Sequence, residues 1–249
     1  MTIFSPLEQF SLVTLIPLNF LGFNLSITNA TVFLVFTCLI AYSFLSIATL
    51  NSTVVPNNWQ YVVESMYSFV YTTLGATDDA KFREFFPFVF TLFVFILTSN
   101  QLGMIPYTFT ITSHLIVTFS LGATIWIGVT FVGFSRHGLH FFSLFCPPNC
   151  PLWILPVLIG IELVSYIFRV ISISVRLFAN VMAGHALFKI LSGFAWTMLS
   201  AGVLGYIGAF SILCFILAFT ALEVAIAFIQ AYIFTLLTCI YLKDGIHLH

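Results

Sequence analysis

From Leu152 to Leu242 the chain carries only six acidic or basic side chains: Glu162, Arg169, Arg176, His185, Lys189 and Glu223. The rest is apolar or uncharged, in two segments, 152–191 and 196–242, parted by Ser192-Gly193. A helix crosses the hydrocarbon core with about 20 apolar residues. Forty helical residues extend about 60 Å, twice the roughly 30 Å thickness of that core. Each segment therefore folds back or lies steeply tilted. Only Gly202, Gly205 and Gly208 offer internal breaks, and no proline follows Pro156. The pattern predicts two long, strongly tilted helices forming a hairpin.

Composition closes the alternative of a soluble fold. Charged residues are 6% and hydrophobic residues 61% of the 249 positions, whereas a soluble domain carries about 25% charged residues. The expectation is an all-α polytopic membrane protein, one membrane domain over 1–249. A first span is read over 30–50, a second over 85–102 and a third over 115–134. Between the first two, apolar residues recur near helical spacing (Trp59, Val62, Met66, Phe69, Val70, Thr73), with Gln60, Glu64 and Ser68 on the other flank. That pattern predicts an interfacial helix over 57–75. The cluster Asp78-Asp-Ala-Lys-Phe-Arg-Glu84 is read as a water-exposed loop.

Five spans put the termini on opposite sides. Lys81, Arg83, Arg136 and Lys243 then share one side, so the N-terminus is expected outside and the C-terminus inside. The first 77 residues hold no Lys or Arg, and no cleavable signal is expected. Net charge of −1 gives no reason to expect nucleic acid. Cys38, Cys146, Cys150, Cys214 and Cys239 do not form a disulfide framework. Cys146 and Cys150, with His137 and His140, supply enough donors for zinc, but in a spacing that matches no known zinc pattern. The expectation is reduced thiols, no metal and no cofactor.

The intramembrane charges carry the chemistry. Such residues face a protein interior or an aqueous cavity and commonly mark ion pathways. Glu162, Arg169 and Arg176 are seven apart, close to two helical turns, so they share a face. Ser165, Ser172 and Asn180 extend that stripe. Glu223 and Gln230 are again seven apart, on a segment rich in Gly and Ala, whose small side chains let helices approach closely in lipid. Arginine stays protonated, so it acts as a barrier and counter-ion and not as a proton carrier. Glu162 lies about 21 Å of helix rise before Arg176, and His185 about 14 Å after it. Both titrate at reachable pH. Two titratable stations flank one fixed charge. Whether Glu223 approaches His185 depends on tilt, and the sequence leaves that open.

These residues carry a resemblance. Ile161 to His185 (IELVSYIFRVISISVRLFANVMAGH) resembles the signature of the subunit a family of rotary ATP synthases, with its Arg-Leu-x-x-Asn core. Ser99 to His114 is similar to that family's Asn-x-x-Gly-x-x-Pro hairpin, Ala221 to His249 to its C-terminal helix, and Ser5-Pro-Leu-Glu-Gln-Phe10 to the start of plant and protist mitochondrial members. The resemblance implies a proton-translocating stator subunit, not an enzyme on its own, in the mitochondrial inner membrane. It would stand beside a ring of c subunits, among peripheral-stalk subunits and lipid. It implies that Arg176 is the essential arginine facing the ring carboxylate. His185 and Glu223 match the intermembrane-space half-channel, Glu162 and Asp244 the matrix-side exit, and Asn180 and Gln230 the arginine's polar neighbours. Arg169 and Ser172 remain supporting residues on the stripe. The implied fold has one N-terminal span and two hairpins.

Other membrane functions fit less well. His185 is the one histidine inside a predicted span, which excludes bis-histidine haem ligation. A secondary transporter usually shows internal repeats and broken helices, and the sequence has neither. Sodium as coupling ion depends on a ring carboxylate that lies outside this chain.

Overall fold

The computed structural model describes residues 8–20, 23–24, 26–50, 52–75, 84–105, 108–145, 153–200 and 202–246. The Asp78–Arg83 part of the charged loop, and Cys146 to Pro151, lie outside them. Six α-helices follow in order: α1 Asn29–Thr49, α2 Asn58–Gly75, α3 Phe86–Gly103, α4 Leu115–His137, α5 Leu155–Leu199 and α6 Val203–Ile246. All but α2 are long and apolar enough to cross a membrane. The chain is an all-α polytopic membrane protein. Phe168, Leu217 and Phe131 are among many large apolar side chains left exposed, as expected where the surrounding solvent is lipid tails.

Contacts divide the chain into two compact units. The first comprises Met1–Phe44, Phe95–His114 and Leu177–Ala231. It opens with a 3₁₀ turn, Glu8–Phe10. Short antiparallel pairs follow: β1 (Thr14–Ile16) with β4 (Ile27–Thr28), and β2 (Asn19–Phe20) with β3 (Phe23–Asn24). Sequence reading did not foresee these strands, which are too short to show a period. Asn29 opens α1, and its Oδ1 accepts from the Ala30 N–H at 2.9 Å. The C-terminal part of α5 runs antiparallel to α6 in this unit. Met198 lies against Gly208, Gly184 against Glu223, and Asn180 bonds Gln230.

The second unit comprises Leu45–Val94, Leu115–Arg176 and Tyr232–His249. On α2, Val70 and Leu74 are buried as the apolar flank requires. Gln60, read as polar surface, is buried as well. Its amide makes two bonds to the Thr53 backbone, at 3.1 and 3.0 Å, and one to Glu64 at 2.7 Å. A fully bonded amide tolerates burial. On α4 the buried stripe is Thr118, Gly122, Ile125, Val129 and Gly133. Its glycines admit Ser174 and the Phe141 ring. His137 at the end of α4 contacts the Ile246 carbonyl through Nε2 at 2.9 Å, so the ring nitrogen donates there.

The helix ends differ from the sequence pattern in one instructive way. Ser192-Gly193 does not interrupt α5, which continues to Leu199. The Ser192 hydroxyl donates to the Lys189 carbonyl at 2.9 Å. Away from water, a backbone gains nothing by leaving the helix. The break falls at Gly202, with φ of +85°, in a left-handed conformation that a Cβ disfavours. Replacing Gly202 with alanine should cost about 1–2 kcal/mol. A lowered midpoint of heat unfolding in detergent micelles would report it.

Candidate proton-handling site

The intramembrane polar residues fall into two groups, one in each unit. In the first unit, α5 contributes Asn180, Gly184 and His185. From α6 come Glu223 and Gln230, and α3 adds Asn100. These six line one cavity of about 330 Å³. Asn180 Nδ2 donates to Gln230 Oε1 at 3.2 Å. Asn100 Nδ2 donates to the Ala227 carbonyl at 3.3 Å. Asn100 Oδ1 and His185 Nε2 are buried with no hydrogen-bond partner among the described residues. Both residues line the cavity, though these two atoms are themselves closed off from it.

Glu223 and His185, whose approach the sequence left open, line this one cavity. Gly184 makes that possible. A Cβ at this position would collide with the Glu223 carboxylate. Asn180 and Gln230, expected beside the arginine, bond each other. Asn100 was missed as a site residue. Its signal was available, because an amide within an apolar span is expensive unless bonded. Gly184 gave no signal beyond its membership of the motif.

The second unit holds the ionic group. Arg169 lies between two carboxylates: Nη1 donates to Asp244 Oδ2 at 3.3 Å, and Nη2 reaches Glu162 Oε1 at 3.6 Å. Its guanidinium carbon stands 5.6 Å from the Tyr241 ring centroid. Nearby, the hydroxyls of Tyr166 on α5 and Thr130 on α4 are 3.0 Å apart. Glu162 and Asp244, 82 positions apart in the sequence, are thus held by one arginine. Arg169 was expected only as a supporting residue, and Tyr166 was not expected at all. Seven-residue spacing had flagged the arginine, whereas nothing in the sequence flags a tyrosine in an apolar run.

Arg176 behaves differently from Arg169. Its side chain is exposed, and among the described residues no carboxylate pairs with it. Ser172 is also exposed. Lys189, half-buried, makes no ion pair among the described residues. Of the histidines and cysteines considered for zinc, Cys146 and Cys150 lie outside the described residues, while His137 is engaged by Ile246.

Long apolar helices, a cavity with polar side chains in its wall, a carboxylate pair held by an arginine and a second arginine without a carboxylate partner among the described residues describe a membrane protein with ionisable groups inside its spans. Comparison with known proteins gives the family. The ATP synthase A chain profile matches residues 30–243. Over 245 residues the chain is 48% identical to ATP synthase subunit a of Chondrus crispus, covering 98% of this chain and 97% of the relative. It is 47% identical over 250 residues to that of Marchantia polymorpha, covering 98% and 99%. The figure is 46% over 251 residues for that of Emericella nidulans, covering 99% and 98%. The chain belongs to the ATP synthase A chain family.

The Arg169 bridge predicts a specific coupling. Arg169→Met leaves two carboxylates without their counter-ion and should lower thermal stability in detergent. Adding Glu162→Gln and Asp244→Asn should restore part of it. A double-mutant cycle should return a coupling of about 0.5–3 kcal/mol; additive losses would show that the bridge is absent in solution.

Proposed function

We propose that this chain is the proton-conducting stator subunit of a mitochondrial ATP synthase. The single observation that carries the reading is the exposed, unpaired Arg176 on an apolar helix. A permanent charge in a bilayer needs a counter-ion, and this chain supplies none among its described residues. In this reading the counter-ion is a carboxylate on the c-ring, a partner that the family membership supports.

In this reading protons enter from the intermembrane space through the cavity that holds His185 and Glu223. They neutralise a ring carboxylate, travel around with the ring, and leave toward the matrix past Glu162 and Asp244. Arg176 draws each returning carboxylate into its charged form. Being unable to give up its own proton, it also blocks a direct leak between the two paths. Asn180 and Gln230 bond each other and so keep the cavity wall polar beside it. Each proton delivers about 2.3 kcal/mol per 100 mV. The chain makes and breaks no covalent bond itself, and ATP chemistry belongs to the rest of the complex. Peripheral-stalk subunits and lipid are its other neighbours. The N-terminus lies in the intermembrane space and the C-terminus in the matrix, with α5 and α6 tilted to fit their length.

Arg176→Ala should abolish ATP-driven proton pumping while leaving the complex assembled, as read by a pH-sensitive dye in vesicles and by native gels. Arg176→Lys should fail too, because an ammonium lacks the planar fork and can lose its proton when desolvated. Normal pumping by either assembled variant sinks the proposal. Sidedness is tested separately, in a background lacking the five native cysteines. A cysteine at 162 should react with a membrane-impermeant thiol reagent from the matrix side, and one at 223 from the intermembrane-space side. The opposite pattern would reverse the assignment of entry and exit.

A further inference from the structure

Residues 11–13 are pinned at a defined place in the first unit. Asn29 does the pinning. Its Nδ2 donates to the Ser11 carbonyl at 3.1 Å, and its Oδ1 accepts from the Val13 N–H at 3.3 Å. Its own N–H donates to the Val13 carbonyl at 3.1 Å. The side chain that caps α1 therefore also fixes residues 11–13. Directly before them, Ser11 N–H closes the Glu8–Phe10 turn on the Glu8 carbonyl at 3.1 Å. Residues 11–18 are exposed, yet Phe10 is only 9% exposed. Phe10 is the anchor of this segment, and it is buried against a particular partner. Its ring meets the His185 imidazole edge-on, with centroids 6.2 Å apart and planes at 74°.

His185 lines the cavity, and its Nε2 has no hydrogen-bond partner among the described residues. Hydrogen bonding at Nε2 therefore does not fix the imidazole's orientation. Packing contributes to it, and the Phe10 ring packs there. An edge-to-face pair has a preferred angle as well as a preferred distance, so it constrains the plane of the imidazole and not only its position.

We infer that Phe10, held by the Asn29 clasp, is a positioning residue for proton entry: it fixes the plane of the His185 imidazole at the cavity wall. The inference rests on His185 being the entry station. The segment before α1 is then a strap of the half-channel and not a passive tail. Within the first unit, the charged groups on the elements around His185 are Glu223 on α6, Lys189 on α5 itself and Glu8 in the same turn as Phe10. The contribution of α3 is the uncharged Asn100.

The test uses the whole ATP synthase in sealed membranes, with ATP synthesis measured at varied pH on the entry side and, separately, on the matrix side. Phe10→Ala and Phe10→Leu should slow synthesis by roughly 2- to 10-fold, the factor expected for one aromatic pair. They should also require a higher proton concentration on the entry side, with the matrix-side profile unmoved. Phe10→Tyr, which keeps the ring, should restore the native profile. Phe10→Leu keeps apolar volume without a ring, so it decides the matter if the alanine variant assembles poorly. His185→Ala is measured alongside, and adding Phe10→Leu to it should cause no further loss. A native entry-side profile in assembled Phe10→Leu enzyme, or a further loss in the double variant, overturns the role of Phe10 alone. Normal synthesis by His185→Ala overturns the reading of His185 as well.

Discussion

The fold depends on one constraint: a charge placed among hydrocarbon chains must find an opposite charge, a water-filled space or another protein. The intramembrane ionisable residues assigned roles here find different answers. Arg169, Glu162 and Asp244 find each other. His185 and Glu223 share a cavity whose wall also carries Asn100, Asn180 and Gln230. Arg176 has neither answer within the described residues. Lys189 also lacks an ion pair among the described residues, but it is half-buried and can shed its proton, whereas Arg176 is exposed and keeps its charge.

Neutral polar groups obey the same constraint more cheaply. Gln60 is buried with its amide fully engaged. Asn180 and Gln230 satisfy each other. Serine and threonine hydroxyls within the helices repeatedly donate to a carbonyl three or four residues back, as Ser174 does to Val170 at 2.9 Å. Asn100 Oδ1 and His185 Nε2 are exceptions, and both residues line the cavity. Thr112 Oγ1, His114 Nε2 and Trp126 Nε1, which lie away from that cavity, are also buried without a partner among the described residues.

Much of this was legible in the sequence, for a physical reason. Helix periodicity is local, so Glu162, Arg169 and Arg176 could be placed on one face from spacing alone. The apolar runs announced the spans, because length against membrane thickness is simple arithmetic. What stayed hidden was contact across long separations. Nothing in the spacing shows that Arg169 bridges Glu162 and Asp244, or that Phe10 reaches His185. The end of α5 was also misjudged. Ser-Gly is a breaker in water, where backbone groups have a competing solvent, and that competition is missing in lipid. Asn100 went unassigned because an amide does not announce a charge, although burying one carries a similar obligation.

The Arg169–Asp244 bond joins positions 75 residues apart, and Asp244 stands near the end of the sequence. Proteins are made from the N-terminus forward. During synthesis Arg169 therefore enters the bilayer with Glu162 as its one available counter-ion, two helical turns away. Its second counter-ion is not made until 75 residues later. Until then α5 carries an incomplete charge balance, and the ionic group closes only when Asp244 arrives.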